Sequence, residues 1–177
     1  MKRLIDCEWK PFRIEDICEI SSGHDIYDRE RISGKTPYVT ATATNNGIGY
    51  FVGNTNETLA SNCISVNRNG SVGYAFYHDY EALYGNDTRK LIPFHKNKYS
   101  SLFIVRAILQ QKDKYGYGYK MGTGRLKRQD IMLPAKADGT PDYDYMEEYM
   151  KSKEKELLEK YRNYLNNSIL NGGGATG

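Results

Sequence analysis

Histidine, tryptophan, cysteine and long apolar runs are all scarce in this chain of 177 residues. No stretch approaches the roughly 20 apolar residues of a membrane-spanning helix, which excludes a helical membrane protein. The opening MKRLIDCEWKPF lacks the apolar core of a secretory leader, so the expected location is the cytoplasm. Cys7, Cys18 and Cys63 are odd in number and far apart, which speaks against a disulfide framework or a zinc site and for reduced, buried thiols. His24, His78 and His95 sit in separate segments with no acid-and-nucleophile pattern around them. Gly122 and Gly124 are not followed by the Gly-Lys-Ser/Thr of a nucleotide-phosphate loop. No residue is therefore assigned a catalytic, cofactor-binding or metal-binding role.

What the chain does have is 16 tyrosines and two β-rich runs broken by Asn-Gly. Tyr suits strands and half-wet surfaces, where the ring packs and the hydroxyl stays bonded. The runs are TPYVTATATNNGIGYFV, from Thr36, and ISVNRNGSVGYAFY, ending at Tyr77. Asn-Gly between alternating apolar residues is a strong hairpin signal because both residues tolerate positive φ. Small hydrogen-bonding side chains crowd the turns: Thr40, Thr42, Thr44, Asn45 and Asn46 in the first, Asn67, Arg68, Asn69 and Ser71 in the second. Such hairpins carry no acid or base for chemistry and fit a surface that reads another molecule, against the plainer alternative of two solvated turns.

Charge is unevenly spread. Residues 81–136 carry 12 basic and 4 acidic side chains, net +8, although the whole chain is only +3. A basic segment beside amide- and hydroxyl-rich hairpins fits a nucleic-acid face, with Lys and Arg on phosphates and the polar tips on base edges. The competing explanation is a solvated helix face, since Arg106, Lys112 and Lys114 fall in a predicted helix. The segment GYGYKMGTGRLKRQDIMLP, residues 116–134, sharpens the first reading. It has four glycines within nine residues and Lys120, Arg125, Lys127 and Arg128 close by. Glycine lets backbone approach a ligand and basic side chains neutralise it. The sequence-level DNA-binding set is Thr44, Asn45, Asn46, Arg68, Asn69, Ser71, Lys120, Thr123, Arg125, Lys127 and Arg128.

The remaining elements follow from pattern. WKPFRIEDICEI, residues 9–20, reads as a strand and a helical turn with Trp9, Phe12, Ile14, Ile17 and Ile20 inward. Residues 24–35 read as a loop, 74–77 as a third strand, and Leu91-Ile92-Pro93 as a brief strand ended by proline. Periodicity predicts a helix over 98–114 with Ser100 or Ser101 as N-cap. After a DGTPD turn, a long amphipathic helix is expected from Tyr143 to about Ile169. Met146, Met150, Leu157, Tyr161 and Leu165 form its apolar stripe, a surface for a partner or a second copy. At about 1.5 Å per residue it would run roughly 40 Å, long for one small domain. The expected architecture is α+β: a single mixed α/β domain with β-hairpins over 1–137, a spacer or dimerisation helix over 138–170, and a flexible tail over 171–177.

Five pieces, in this order, resemble one family: WKPFRIEDICEISSG; TPYVTATATNNGIGYFV; NCISVNRNGSVGYAFY; GYGYKMGTGRLKRQDIMLP; and DGTPDYDYMEEYMKSKEKELLEKY. Together they resemble the target recognition domain of the specificity (S) subunits of type I restriction–modification systems and of related type II S-like proteins. The resemblance implies a non-catalytic, sequence-specific module for double-stranded DNA that reads one half of a split target. It would direct a partner adenine methyltransferase (M) subunit, with or without a restriction (R) subunit, and the methyl donor and flipped base would belong to the partner. A full S subunit carries two recognition domains and two spacer helices; this chain has one of each, which suggests a homodimer through the C-terminal helix. Its LPAKADGTPDYDYMEEYM stands where type I subunits have Pro-Pro-Leu and a Gln-containing helix, and is closer to type II S-like parts. Two rivals stand beside this reading. A small metal-dependent nuclease would use Asp87, Asp113 and Asp130, whose spacing matches no ligand pattern. A protein-binding relative of recognition domains would want an acidic, DNA-mimicking surface, opposite in sign to 81–136.

Overall fold

The computed structural model describes residues 2–116 and 118–172, with side chains up to residue 167. Tyr117 and the tail from 173 on, expected to be a flexible end, lie outside the described residues. The chain opens with β1 (Trp9–Arg13), the single turn α1 (Ile14–Ile17) and β2 (Cys18–Ser22). Ile14 and Ile17, three apart, fall on one side of α1 and are both buried. Pro11 is tolerated inside β1 because that strand pairs on one side only, with β9 (Asp130–Pro134), antiparallel.

Two further sheets build the rest of the domain. In the three-stranded one, β3 (Ser33–Val39) lies between β4 (Ile48–Val52), antiparallel, and β7 (Leu83–Tyr84), parallel. The four-stranded sheet is antiparallel throughout, with β2 at one edge, then β8 (Thr88–Pro93), β5 (Cys63–Asn67) and β6 (Ala75–His78). Strand alternation gives it two different faces. Ile64, Val66, Ala75, Tyr77 and Leu91 share the main core with α2 (Lys98–Leu109), α3 (Thr123–Lys127) and β9. Cys63 looks the other way, toward Val39, Ala82 and Tyr84 of the smaller sheet's side.

Several expectations change here. The run at Leu91 is not a brief strand: β8 begins at Thr88 and is the inner partner of both β2 and β5. It buries Arg89 and Lys90, 3% and 7% exposed, so two of the basic residues counted over 81–136 are not surface charge. The third strand is β6, the return arm of the second hairpin. Strand β3 starts inside what reads as a loop, at Ser33. Asn97 caps α2, its Oδ1 accepting from the Tyr99 and Ser100 amides at 2.8 and 3.3 Å, while Ser100 and Ser101 are buried in the first turns. The α-helix ends at Leu109, and 112–114 are a separate 3-10 turn. Trp9 remains partly exposed against Phe103 rather than inside.

Helix α4 (Tyr143–Gly172) starts where the pattern places it and runs into the expected tail. Its foot is docked. Met146 is buried, Met150 packs against the core, and Glu147 and Glu154 reach His95 (2.9 Å), Lys98 (3.3 Å) and the Tyr99 hydroxyl (2.8 Å). Beyond Glu154 the stripe is exposed among the described residues: Leu157, Leu158, Tyr161 and Tyr164 are each at least 60% exposed and Leu165 40%. From 155 to 172 the helix projects roughly 27 Å at about 1.5 Å per residue.

Candidate nucleic-acid interface

Both Asn-Gly segments lie between antiparallel strands, but neither is a two-residue turn. Residues 40–47 link β3 to β4, with Asn45, Asn46 and Gly47 all left-handed (φ 51°, 53° and 77°). Asn accepts that region more readily than most residues. The segment folds across the edge strand β6: the Asn46 amide donates to Tyr77 O (3.2 Å) and to the Tyr80 hydroxyl (2.9 Å). Asn46 is thus an anchor, while Thr44 and Asn45 face solvent. Residues 68–74 link β5 to β6, with positive φ at Gly70 and Gly73 rather than at Asn69.

Contacts join these loops into one surface. Ser71 N donates to Ala41 O (3.2 Å) and Asn67 Nδ2 to Thr42 O (2.9 Å). A Cβ at Gly70 would stand 2.8 Å from Ala41 O, so the two hairpin tips touch only because that residue has no side chain. Asp87 ties in the turn before β8. Its carbonyl accepts from the Arg68 and Asn69 amides (2.8 and 3.3 Å), and its carboxylate takes the Asn69 side-chain amide and lies 3.7 Å from Arg68.

The glycine-rich segment meets the same surface. Arg89 Nε donates to Thr123 Oγ1 at 2.6 Å, fastening α3 to the end of β8. A cavity of about 430 Å³ separates the second hairpin tip from this segment, lined by Asn69, Gly70, Val72, Tyr115, Gly116 and Lys120. Arg125 donates to Lys120 O (2.7 Å) and stacks on the Tyr119 ring (3.9 Å). Lys127 and Arg128 are exposed. A Cβ at Gly116, Gly118 or Gly122 would meet nothing within 4 Å, and none of the three has a positive φ. Nothing in the fold requires glycine there. All eleven residues proposed from sequence therefore lie on the two hairpin loops or on the segment latched to them, although Asn46 and Asn69 bind their own chain. Sequence reasoning missed Asp87 and Arg89 as the joints, because each takes its role from contacts distant in sequence. Among the described residues, no three His, Cys, Asp or Glu gather where a metal could sit, and Asp87 is occupied by Asn69 and Arg68.

Behind the first hairpin lies a buried polar chain. The Tyr80 hydroxyl accepts from Asn46 and sits 3.0 Å from His78 Nδ1, and His78 Nε2 is 2.8 Å from Ser65 Oγ. A neutral ring with its proton on Nε2 satisfies every partner. Burial pushes the His78 pKa down to about 4. The Cys18 thiol is pushed up to about 12 for the same reason, so it is an inert core group.

Polar hairpin tips, a basic glycine-rich segment and a projecting helix thus stand on one body of three small sheets. The chain belongs to the type I restriction modification DNA specificity domain family, which matches residues 7–165. The specificity subunit S.BcgI of a type II restriction enzyme from Heyndrickxia coagulans is 42% identical over 160 residues, covering 89% of this chain and 47% of that protein. The fold is shared with the S subunit of a type I restriction–modification system from M. genitalium (TM-score 0.63, 18% identity, 92% of this chain and 43% of that one). It is shared also with the HsdS subunit of Thermoanaerobacter tengcongensis (TM-score 0.61, 13% identity, 88% and 39%). The chain spans about half the length of these relatives.

Proposed function

We propose that this chain is a non-catalytic DNA-recognition module of a restriction–modification system, acting in the cytoplasm on one half of a split target and bringing a methyltransferase subunit to it. The observation that carries the reading is the joining of both hairpin tips and the basic glycine-rich segment into one continuous surface. On it, Lys120, Arg125, Lys127 and Arg128 hold phosphates, while Thr44, Asn45 and Ser71 reach toward the groove. Asn46 and Asn69 shape the tips from which those residues project. Family membership favours this reading over a metal-dependent nuclease. Fluorescence anisotropy on a random duplex tests it: affinity should be weak and fall steeply with salt, as a phosphate-dominated contact requires. Binding no stronger than that of an acidic control protein would remove it.

The helix carries a second part of the proposal. The exposed stripe on the projecting half of α4 fits two copies paired about a two-fold axis, reading a palindromic split site. Leu157, Tyr161 and Tyr164 recur at alternating spacings of four and three, the seam of a helix pair. Light scattering of the parent and of Leu157→Glu with Leu165→Glu decides between self-pairing and docking on the methyltransferase. A parent monomeric at tens of micromolar removes self-pairing.

A further inference from the structure

Two arginines lie beside a single carboxylate, that of Asp87, beneath the hairpin tips. Arg89 is buried, and its guanidinium reaches only neutral acceptors: Thr123 Oγ1 at 2.6 Å, Asn86 O at 2.8 Å and Thr88 O at 2.7 Å. Arg68 follows directly on β5, where Asn67 pairs with Thr88 and Val66 with Arg89. Its Nε is buried without a partner, and its other side faces Asp87 at the long distance of 3.7 Å. Asp87 also serves Asn69. The cluster of Arg68, Arg89 and Asp87 thus holds two positive charges and one negative charge. Burial first, then the like charge of Arg68, holds the Arg89 pKa below its ordinary value, against a smaller opposite pull from Asp87. A guanidinium kept from water without an anion is costly, and the remedy is an anionic group from outside.

We infer that this cluster is the seat of a tetrahedral oxyanion carrying one negative charge, which on the DNA-recognition reading is a single phosphodiester of the duplex backbone. Arg68 and the half-buried Thr123 hydroxyl meet the oxygens at the rim. The Thr123 oxygen accepts from Arg89, which leaves its proton to donate outward. Arg89 is a positioning residue: it fixes Thr123 and supplies charge from behind. Gly122 and Gly124 flank Thr123. A Cβ at Gly122 would meet nothing, and one at Gly124 only the Arg128 guanidinium at 3.7 Å, so bare backbone leaves the approach open. One phosphodiester matches the net charge of the cluster.

Two measurements test the seat, and their failures separate it from the DNA reading on which it rests. In the first, duplex affinity is followed against salt. Arg68→Gln should reduce the slope of log K against log salt by about 0.9, the loss of one phosphate contact. Thr123→Val should weaken binding severalfold with the slope kept, and Arg89→Lys should do the same, since charge remains and the latch is lost. A purely structural Arg68 would lower affinity without changing the slope. In the second, the Nε–H resonances of Arg68 and Arg89 are followed by NMR as inorganic phosphate replaces chloride at constant ionic strength. A saturable shift at both, absent from Arg68→Gln at Arg89, is expected. If Arg68→Gln keeps the full slope while Lys127→Ala lowers it, DNA recognition stands and the seat is overturned. If the parent binds no duplex, the DNA reading falls and the phosphate titration alone decides: a saturable shift upholds an oxyanion seat, and a flat response ends it.

Discussion

Replacing His78 should change how stability depends on pH more than it changes stability at neutral pH. The ring is fully buried, lies between Ser65 Oγ and the Tyr80 hydroxyl, and packs edge-on against Tyr84. Its pKa falls from 6.5 to about 4 because burial disfavours the charged form. In that window the unfolded chain binds a proton that the folded chain refuses, so stability must fall as pH drops from about 6.5 toward 4. At about 1.36 kcal/mol per pKa unit the full loss is about 3 kcal/mol, of which about 2 kcal/mol has developed by pH 5. With a urea dependence on the order of 2 kcal/mol per molar, the unfolding midpoint should move down by about 1 M between pH 7.5 and pH 5 from this group alone. Gln keeps a hydrogen-bonding end in reach of Ser65 but cannot protonate. His78→Gln should therefore start less stable at pH 7.5 and show a flatter decline. Urea unfolding followed by far-UV circular dichroism at pH 7.5, 6.5, 5.5 and 5.0 gives the comparison. Parallel declines in the two proteins would show that the His78 ring is not held neutral. His24, exposed beside Glu57, is shifted the opposite way and cannot produce the effect.

Other substitutions separate fold from recognition. Asn46→Ala removes two hydrogen bonds and leaves a Cβ residue at φ 53°, so it should cost about 2 kcal/mol in urea unfolding, and Asn46→Gly about 1 kcal/mol. A variant of Asn46 that keeps full stability but loses site preference would make Asn46 a reader instead of an anchor. Gly70→Ala, left-handed and 2.8 Å from Ala41 O, should destabilise by more than about 1 kcal/mol, whereas Gly122→Ala should stay within about 0.5 kcal/mol yet weaken duplex binding. Lys127→Ala should weaken all duplexes alike and flatten the salt slope by about 0.9, with no change of preferred site in an anisotropy panel.

The parts of the fold that sequence exposed were those governed by local rules. Spacing placed the start of α4 at Tyr143, and Ile14 with Ile17 on one side of a single turn. Asn-Gly correctly signalled a reversal of direction between β3 and β4 and between β5 and β6. It misjudged the form, because a tertiary contact outweighed turn chemistry: Asn46 holds its loop across β6 instead of closing a tight turn. The cap of α2 followed the side chain that could reach two free amides, Asn97, over the serines that the core buries. Strand β8 was hidden by Thr88, Arg89 and Lys90, which look like surface residues. Pairing on both sides buries them all the same.

That burial bears on how much weight segmental charge can carry. The +8 over 81–136 treats every Lys and Arg as equally available. In the fold, Lys90 points to Thr58 O on one side of the sheet and Arg89 to Thr123 on the other, while Arg106 lines a cavity at the foot of α4 with Trp9 and Met150. Exposed Lys120, Arg125, Lys127 and Arg128 remain together, on the segment where glycine has no task in packing. The case for a phosphate-facing surface thus rests on position more than on net charge. Only the pairing of β5 with β8 brings Arg89 beneath the second hairpin tip, so no local pattern could have marked it. Local sequence could mark the glycines and exposed cations of this surface; its buried charge required the tertiary fold.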